Sequence, residues 1–289
     1  MNKPDASLAF SSMTDGPKPK VRPVEEDSRG ILRPAAGLER FRLDRFEPGA
    51  TMSRFVDRYW CVRWDLPDGV EHRQEVLSHP VVNVVFEAGA SVVEGVLRER
   101  DAQVIEGRGI VLGVMFRAGG FSPFLDGPLT SITDVRQPVA KLFGSPGEAL
   151  EEVVVDALAA DAVPDAIDAV ESFFAPRAPA GPHPGEEVSR AVELAAADPA
   201  MVRVADLARV VGVGERQLQR LFADHVGVNP KWVIRRYRLY EAADAAAAGT
   251  DVNWAGLAAE LGYSDQAHLT RDFTKAFGLP PDRYARTCT

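Results

Sequence analysis

Residues 254–281, WAGLAAELGYSDQAHLTRDFTKAFGLPP, repeat in outline a stretch fifty residues earlier, VADLARVVGVGERQLQRLFADHVGVNP at 204–230. Val204, Leu207, Ala208 and Gly212 correspond to Trp254, Leu257, Ala258 and Gly262. After one inserted residue, Leu218, Arg220, Phe222, Gly227 and Pro230 correspond to Leu269, Arg271, Phe273, Gly278 and Pro281. Self-similarity at a fixed spacing marks a duplicated structural unit. Each copy predicts a short helix carrying Leu and a small Ala, and a glycine able to take the left-handed conformation of a tight turn. A second helix follows, with apolar residues at helical spacing on one face and polar residues on the other. That is a helix-turn-helix, whose second helix would lie in a major groove. An αα-hairpin repeat with no DNA role is the competing reading, and the two copies at this spacing weigh against it.

Between the copies runs PKWVIRRYRLYEAADAAAA, residues 230–248. Proline in a first turn followed by Arg and Ala predicts a helix. Nineteen residues would span roughly 28 Å, against about 34 Å between major grooves one turn apart on one face of DNA.

Working outward, APRAPAGPHPGEE at 175–187 is proline- and glycine-rich and reads as a linker, placed at 177–186. Before it, EALEEVVVDALAADAVPDAIDAVESFF predicts two helices broken at Pro164, with Leu150, Val153, Val154, Ala157 and Leu158 forming an apolar stripe suited to a domain or dimer contact. Residues from about 38 to 135 carry short apolar runs bounded by Gly, Pro and Asp, the pattern of a β-barrel or sandwich. Residues 1–35 are polar and proline-rich with no apolar period, and read as a disordered tail. The expected class is therefore α+β: a β-rich domain with two trailing helices at 36–176, then an all-α domain with two helix-turn-helix units at 187–289.

The 289 residues carry a net charge of −9. Residues 186–289 hold 13 Lys and Arg against 14 Asp and Glu, so that part is nearly neutral. Its basic residues concentrate at 214–238, as expected if one face meets phosphate, and one copy has little electrostatic affinity to spare. No apolar run reaches the ~18 residues of a membrane span, and the N-terminus lacks the apolar core of a secretory signal. Cys61 and Cys288 stand apart, with neither a disulfide framework nor a zinc site implied, which fits a reducing cytoplasm.

On the residues Ala208–Gly212, QLQRLF at 217–222, Gly227-x-x-Pro230, Arg238, and LGYSDQAHLTRDFTKAFGLPPDRYAR at 261–286, the C-terminal region resembles the DNA-binding domain of AraC-family transcriptional regulators. Tyr263 stands where the family has Phe, and Val213–Gly214 opens the first recognition helix without the usual Leu-Ser. The resemblance implies that Arg216, Gln219 and Arg220 face bases from the first unit. From the second it implies Gln266, Ala267, Thr270 and Arg271, with Asp265 and His268 at the groove edge. The chemistry agrees: Arg can bond a guanine edge bidentately, Gln an adenine edge, and Ala and Thr methyls can touch thymine. Lys231, Trp232 and Arg235 suit phosphate contact. Arg238 is expected as a structural ion-pair residue and His225 as a solvated helix end.

The N-terminal region, on FVDRYWCVRWDL, HPVVNVVFEAG and LGVMFRAGGFSPFL, resembles the cupin-like sensor domains attached to such regulators. A pocket there would use Trp60, Trp64, Phe86 and Phe116 with His79, Asn83, Glu87 or Arg117, although aromatics at strand spacing are more often core. His72 and His79 form no His-x-His set, so no metal or other cofactor is expected. The implied partners are double-stranded DNA, a second copy of the chain, a small-molecule effector and RNA polymerase, with no membrane. Two further readings stay open: an N-terminal domain that only dimerises, and an enzyme fused to a DNA-binding domain. The latter, such as an alkyl-transfer repair protein, needs a reactive cysteine that neither Cys61 between Trp60 and Val62 nor Cys288 resembles.

Overall fold

The computed structural model describes residues 21–22, 30–32, 37–248 and 252–288. The N-terminal strands are β1 Val21–Arg22, β2 Arg42–Phe46, β3 Val56–Asp65, β4 Glu71–Val76, β5 Asn83–Phe86, β6 Val92–Glu94, β7 Asp101–Glu106, β8 Arg108–Phe116 and β9 Arg136–Pro138. Helices follow: α1 Val139–Phe143, α2 Ser145–Ala159, α3 Val163–Phe174, α4 Pro184–Ala197, α5 Val204–Val211, α6 Glu215–His225, α7 Pro230–Ala248, α8 Trp254–Glu260, α9 Gln266–Phe277 and α10 Pro281–Cys288. Seven strands form an antiparallel sheet in the order β1-β2-β3-β8-β5-β6-β9, and β4 pairs with β7 in a separate ribbon.

Alternation along β3 and β8 divides the sheet into two faces. Tyr59 lies opposite Val114 and Cys61 opposite Leu112, and all four are fully buried beneath α2 and α3. Leu150, Val154 and Leu158 of α2 bury into this core, so the stripe predicted for a domain or dimer contact is covered by the chain's own sheet, and Val153 stays outside. Pro164 sits in the first turn of α3, where its missing N–H costs nothing. Phe55, Phe116, Phe121, Phe124, Phe143, Phe173 and Phe174 meet edge to face or tilted beside it.

The other face carries Trp60 and Trp64. Each lies opposite a glycine, Gly113 and Gly109. A Cβ at Gly113 would fall 1.9 Å from the Trp60 ring, and one at Gly109 would fall 2.1 Å from Trp64. The missing side chains let both indoles lie flat on the sheet.

The tail expected at 1–35 is corrected where it is described. Val21–Arg22 pair with β2, the Leu32 amide donates to the Glu75 carbonyl at 3.0 Å, and Leu32 is 3% exposed. The remainder of 1–36 lies outside the described residues.

The two domains share buried surface. Leu32 and Leu77 pack with Leu239, Tyr240 and Phe273, while Val81, Val96 and Ala118 pack with Val188, Val192 and Phe222. The Tyr240 hydroxyl donates to the Leu77 carbonyl at 2.7 Å, and Ser189 Oγ donates to the Ala118 carbonyl. An ion pair joins Arg117 to Glu193 at 3.0 Å.

Candidate nucleic-acid interface

The sequence repeat is a repeat in geometry. Gly212 and Gly262 both take left-handed backbone, with φ of 80° and 75°. The amide after each glycine returns to the alanine carbonyl five residues back: Val213 to Ala208 at 3.0 Å, Tyr263 to Ala258 at 2.9 Å. These bonds satisfy carbonyls that a helix end would otherwise leave open. Leu218 and Phe222 of α6, and Leu269 and Phe273 of α9, are 0% exposed and anchor the two second helices. Gly227 and Gly278 end them with φ of 93° and 77°.

Burying those faces turns the polar ones outward. Arg216, Gln219 and Arg220 are exposed on α6, and Gln266, Ala267 and Arg271 on α9. Thr270 and His268 are half-buried. The expected base-reading groups are thus presented in two sets, one per unit, with α7 rigidly between them.

Several predicted contacts have other work. Asp265 is the N-cap of α9: one carboxylate oxygen accepts the His268 amide at 2.7 Å and the other accepts the Ser264 hydroxyl at 3.1 Å. The His268 amide bond holds this carboxyl below its usual range. Arg235 is braced against α9, forming an ion pair with Asp272 and reaching His268 Nε2 at 3.4 Å. His268 Nδ1 faces Ser264 Oγ at 3.2 Å. Trp232 is half-buried and takes the Arg236 guanidinium over its ring at 4.5 Å. Lys231 is exposed.

Two arginines of α7 are buried and structural. Arg238 is 1% exposed and donates to the Asp198 carbonyl at 2.9 Å and to the Ala195 carbonyl, so it closes the C-terminal end of α4. Arg236, not singled out beforehand, donates to the carbonyls of Ser78 at 2.7 Å and Arg98 at 2.8 Å. It fastens α7 to the N-terminal domain. Its low exposure, 4%, could not be read from a polar helix rich in arginine. His225 is not a solvated end: its ring meets His183 edge to face at 5.4 Å and its Nδ1 lies 3.1 Å from Ser122 Oγ.

The proposed effector residues do not converge. Phe86 and Phe116 are fully buried in the helix-covered core. His79 stacks on Tyr240 with ring centres 5.0 Å apart, and Arg117 donates to the Ser53 carbonyl at 2.9 Å as well as pairing with Glu193. Trp60 and Asn83 are neighbours on one face, with the indole N–H 3.4 Å from the Asn83 oxygen. Among the described residues no group of three His, Cys, Asp or Glu could hold a metal ion, and no helix is long and apolar enough to cross a membrane.

Residues 207–287 match the family described as a helix-turn-helix domain, and residues 44–138 match one described as a domain of unknown function, DUF6597. The chain is 30% identical over 82 residues to the HTH-type transcriptional regulator ExsA of Pseudomonas aeruginosa, covering 28% of this chain and 29% of that protein. The match therefore spans less than a third of the relative's length. Among solved structures, a transcriptional regulator with an AraC-type DNA-binding domain from Chromobacterium violaceum is 25% identical, with a TM-score of 0.33, covering 36% of this chain and 92% of that one. ToxT from Vibrio cholerae is 11% identical with a TM-score of 0.38, covering 86% and 99%.

Proposed function

We propose, from the helix-turn-helix domain matched at residues 207–287, that the protein is a sequence-specific DNA-binding transcription regulator of the AraC type. One observation carries the proposal. Two units with the same turn geometry turn the exposed polar faces of α6 and α9 outward, and the nineteen-residue α7 holds them apart. Side chains there would enter successive major grooves of an asymmetric site. Arg216, Arg220 and Arg271 would bond guanine edges, Gln219 and Gln266 adenine edges, and Ala267 and Thr270 would offer methyls to thymine.

The N-terminal domain would supply the signal. The sheet face bearing Trp60, Asn83 and Trp64 is the one that α2 and α3 leave open, so a small effector would sit there rather than against Phe86 or Phe116. A domain that fastens α7 through Arg236 and Tyr240 is placed to pass an effector's influence to the DNA-binding units, or to a surface that meets RNA polymerase. A dimer would compensate for the near-neutral charge of the C-terminal domain. The alkyl-transfer reading loses support from Cys61, which is 0% exposed and whose thiol burial pushes up to about 11.

The test is genome-wide chromatin capture, comparing wild type with Arg220→Ala combined with Arg271→Ala. Discrete peaks that vanish in the double variant support the proposal. Peaks that persist in the folded variant, or a wild type with none under any growth condition, would remove it.

A further inference from the structure

A cleft of about 360 Å³ lies where the N-terminal domain meets α7 and α9. It gathers six cations: Arg98 and Arg100 from the loop before β7, Lys231, Arg235 and Arg236 from α7, and Lys275 from α9. Glu99 and Asp272 stand among them. Behind the loop, Asp134 pairs with Arg98 at 2.6 Å and Glu75 with Arg100 at 3.5 Å. Six positive groups against four carboxylates leave the cleft positive, in a region where residues 186–289 as a whole are slightly negative.

Its position matters as much as its charge. Lys275 is one helical turn beyond Arg271 on α9, and Lys231 lies just past the end of α6. The cleft thus flanks the second recognition helix and the start of α7, the helix that joins the two units. The loop is held there by geometry. Lys275 pairs with Glu99 at 2.9 Å. Arg100 seats its guanidinium against Gly278, where a Cβ would fall 1.5 Å from Nη1. Gly278 is the C-cap of α9, and the open carbonyls of a helix end favour a cation. Arg100 is therefore the anchor, while Arg98, with 57% of its side chain exposed, Lys275 with 72%, and Lys231 remain accessible to a further anion.

We propose that the N-terminal domain touches DNA itself: the Arg98–Arg100 loop, with Lys231 and Lys275, takes the sugar–phosphate backbone that runs between the two major grooves. This rests on the DNA-binding proposal above and adds a contact from outside the helix-turn-helix domain. Arg98 and Lys231 meet phosphate directly. Lys275 exchanges Glu99 for a phosphate oxygen, so Glu99 opposes binding.

The experiment is fluorescence anisotropy of the full chain with a random-sequence duplex of about 40 base pairs, titrated from about 25 to 150 mM KCl. Arg98→Gln should lower the slope of log affinity against log salt by about 0.9, and combination with Lys231→Gln by about 1.8, since each lost phosphate contact releases fewer counterions. Glu99→Gln should bind more tightly than wild type at every salt concentration. A disturbed loop would not produce that gain, so the opposite signs separate charge from misfolding. Unchanged slopes in both Arg98 variants, or weaker binding by Glu99→Gln, overturn the proposal while leaving the DNA-binding reading intact. Loss of DNA binding by wild type at the lowest salt overturns both. Stabilisation of wild type by inorganic pyrophosphate, abolished by Arg98→Gln with no change in DNA slope, would mark a small-anion site instead and overturn it.

Discussion

Asp265 Oδ1 accepts the His268 amide at 2.7 Å and closes the first turn of α9, whereas Gly214 opens α6 with no side chain to cap it. The two units are alike in their turns and unlike at the helix starts that would meet DNA. Removing the carboxylate in Asp265→Ala takes away the N-cap acceptor and should lower stability. Gly214 has φ −72° and ψ 150°, extended backbone that any residue adopts, and nothing lies within 4 Å of a Cβ there. Gly214→Ser should therefore stabilise by a few tenths of a kcal/mol. Urea midpoints of both variants check the pair. A neutral Asp265→Ala would mean that the cap contributes nothing to α9.

Arg238 gives a second prediction. Its buried guanidinium donates to two carbonyls at the end of α4, where the helix dipole also favours a positive charge. Arg238→Met keeps the apolar stem but leaves those carbonyls without their charged donor. The loss should be about 3 kcal/mol, in the range of charge-assisted bonds removed from a buried site. The DNA motif recovered by selection should be the same for any protein that remains folded. A stability change under about 0.5 kcal/mol, or an altered motif, would contradict the structural role.

What was legible in the sequence depended on whether the determining contact was local. Gly212 and Gly262 announce a left-handed turn because the φ requirement belongs to the residue itself, and Leu218, Phe222, Leu269 and Phe273 announce a buried face through spacing alone. Strand β3 was harder. Tyr59 and Cys61 point one way and Trp60, Val62 and Trp64 the other, so both faces are apolar and alternation cannot say which one meets helices. The effector candidates accordingly mixed the two faces. His79 was misread and Arg236 missed because each bonds or stacks on a partner distant in the chain. Such a partner exists only once the domains have docked.

His183 and His225 give the last prediction, because burial lowers the pKa of both imidazoles. Ser122 Oγ donates to the Gly119 carbonyl at 2.8 Å, so its oxygen accepts from His225 Nδ1. His183 Nδ1 accepts the Gly185 amide at 3.0 Å, which caps α4. A proton on that nitrogen abolishes the cap, and the two rings would repel if both were charged. Glu186 and Asp224 oppose the downward shifts, while Arg54 adds to that of His183. The unfolded chain protonates these groups near their ordinary value of 6.5, before the native state does. Between the folded and unfolded values the unfolded state holds more protons, so stability rises with pH through that window. The contribution is complete above about 6.5 and is lost as the pH falls through the window below it. His183→Asn with His225→Gln keeps a capping acceptor and removes both titrations. Urea midpoints measured from about pH 7.5 to 5.5 should fall less steeply in this variant than in wild type. Equal slopes would mean that other groups govern the acid limb. An imidazolium at His225 keeps its Nδ1–H bond to Ser122, but it meets a charged His183 ring at the end of the first recognition helix, and that repulsion should register as faster hydrogen exchange at residues 222–227 at the lower pH.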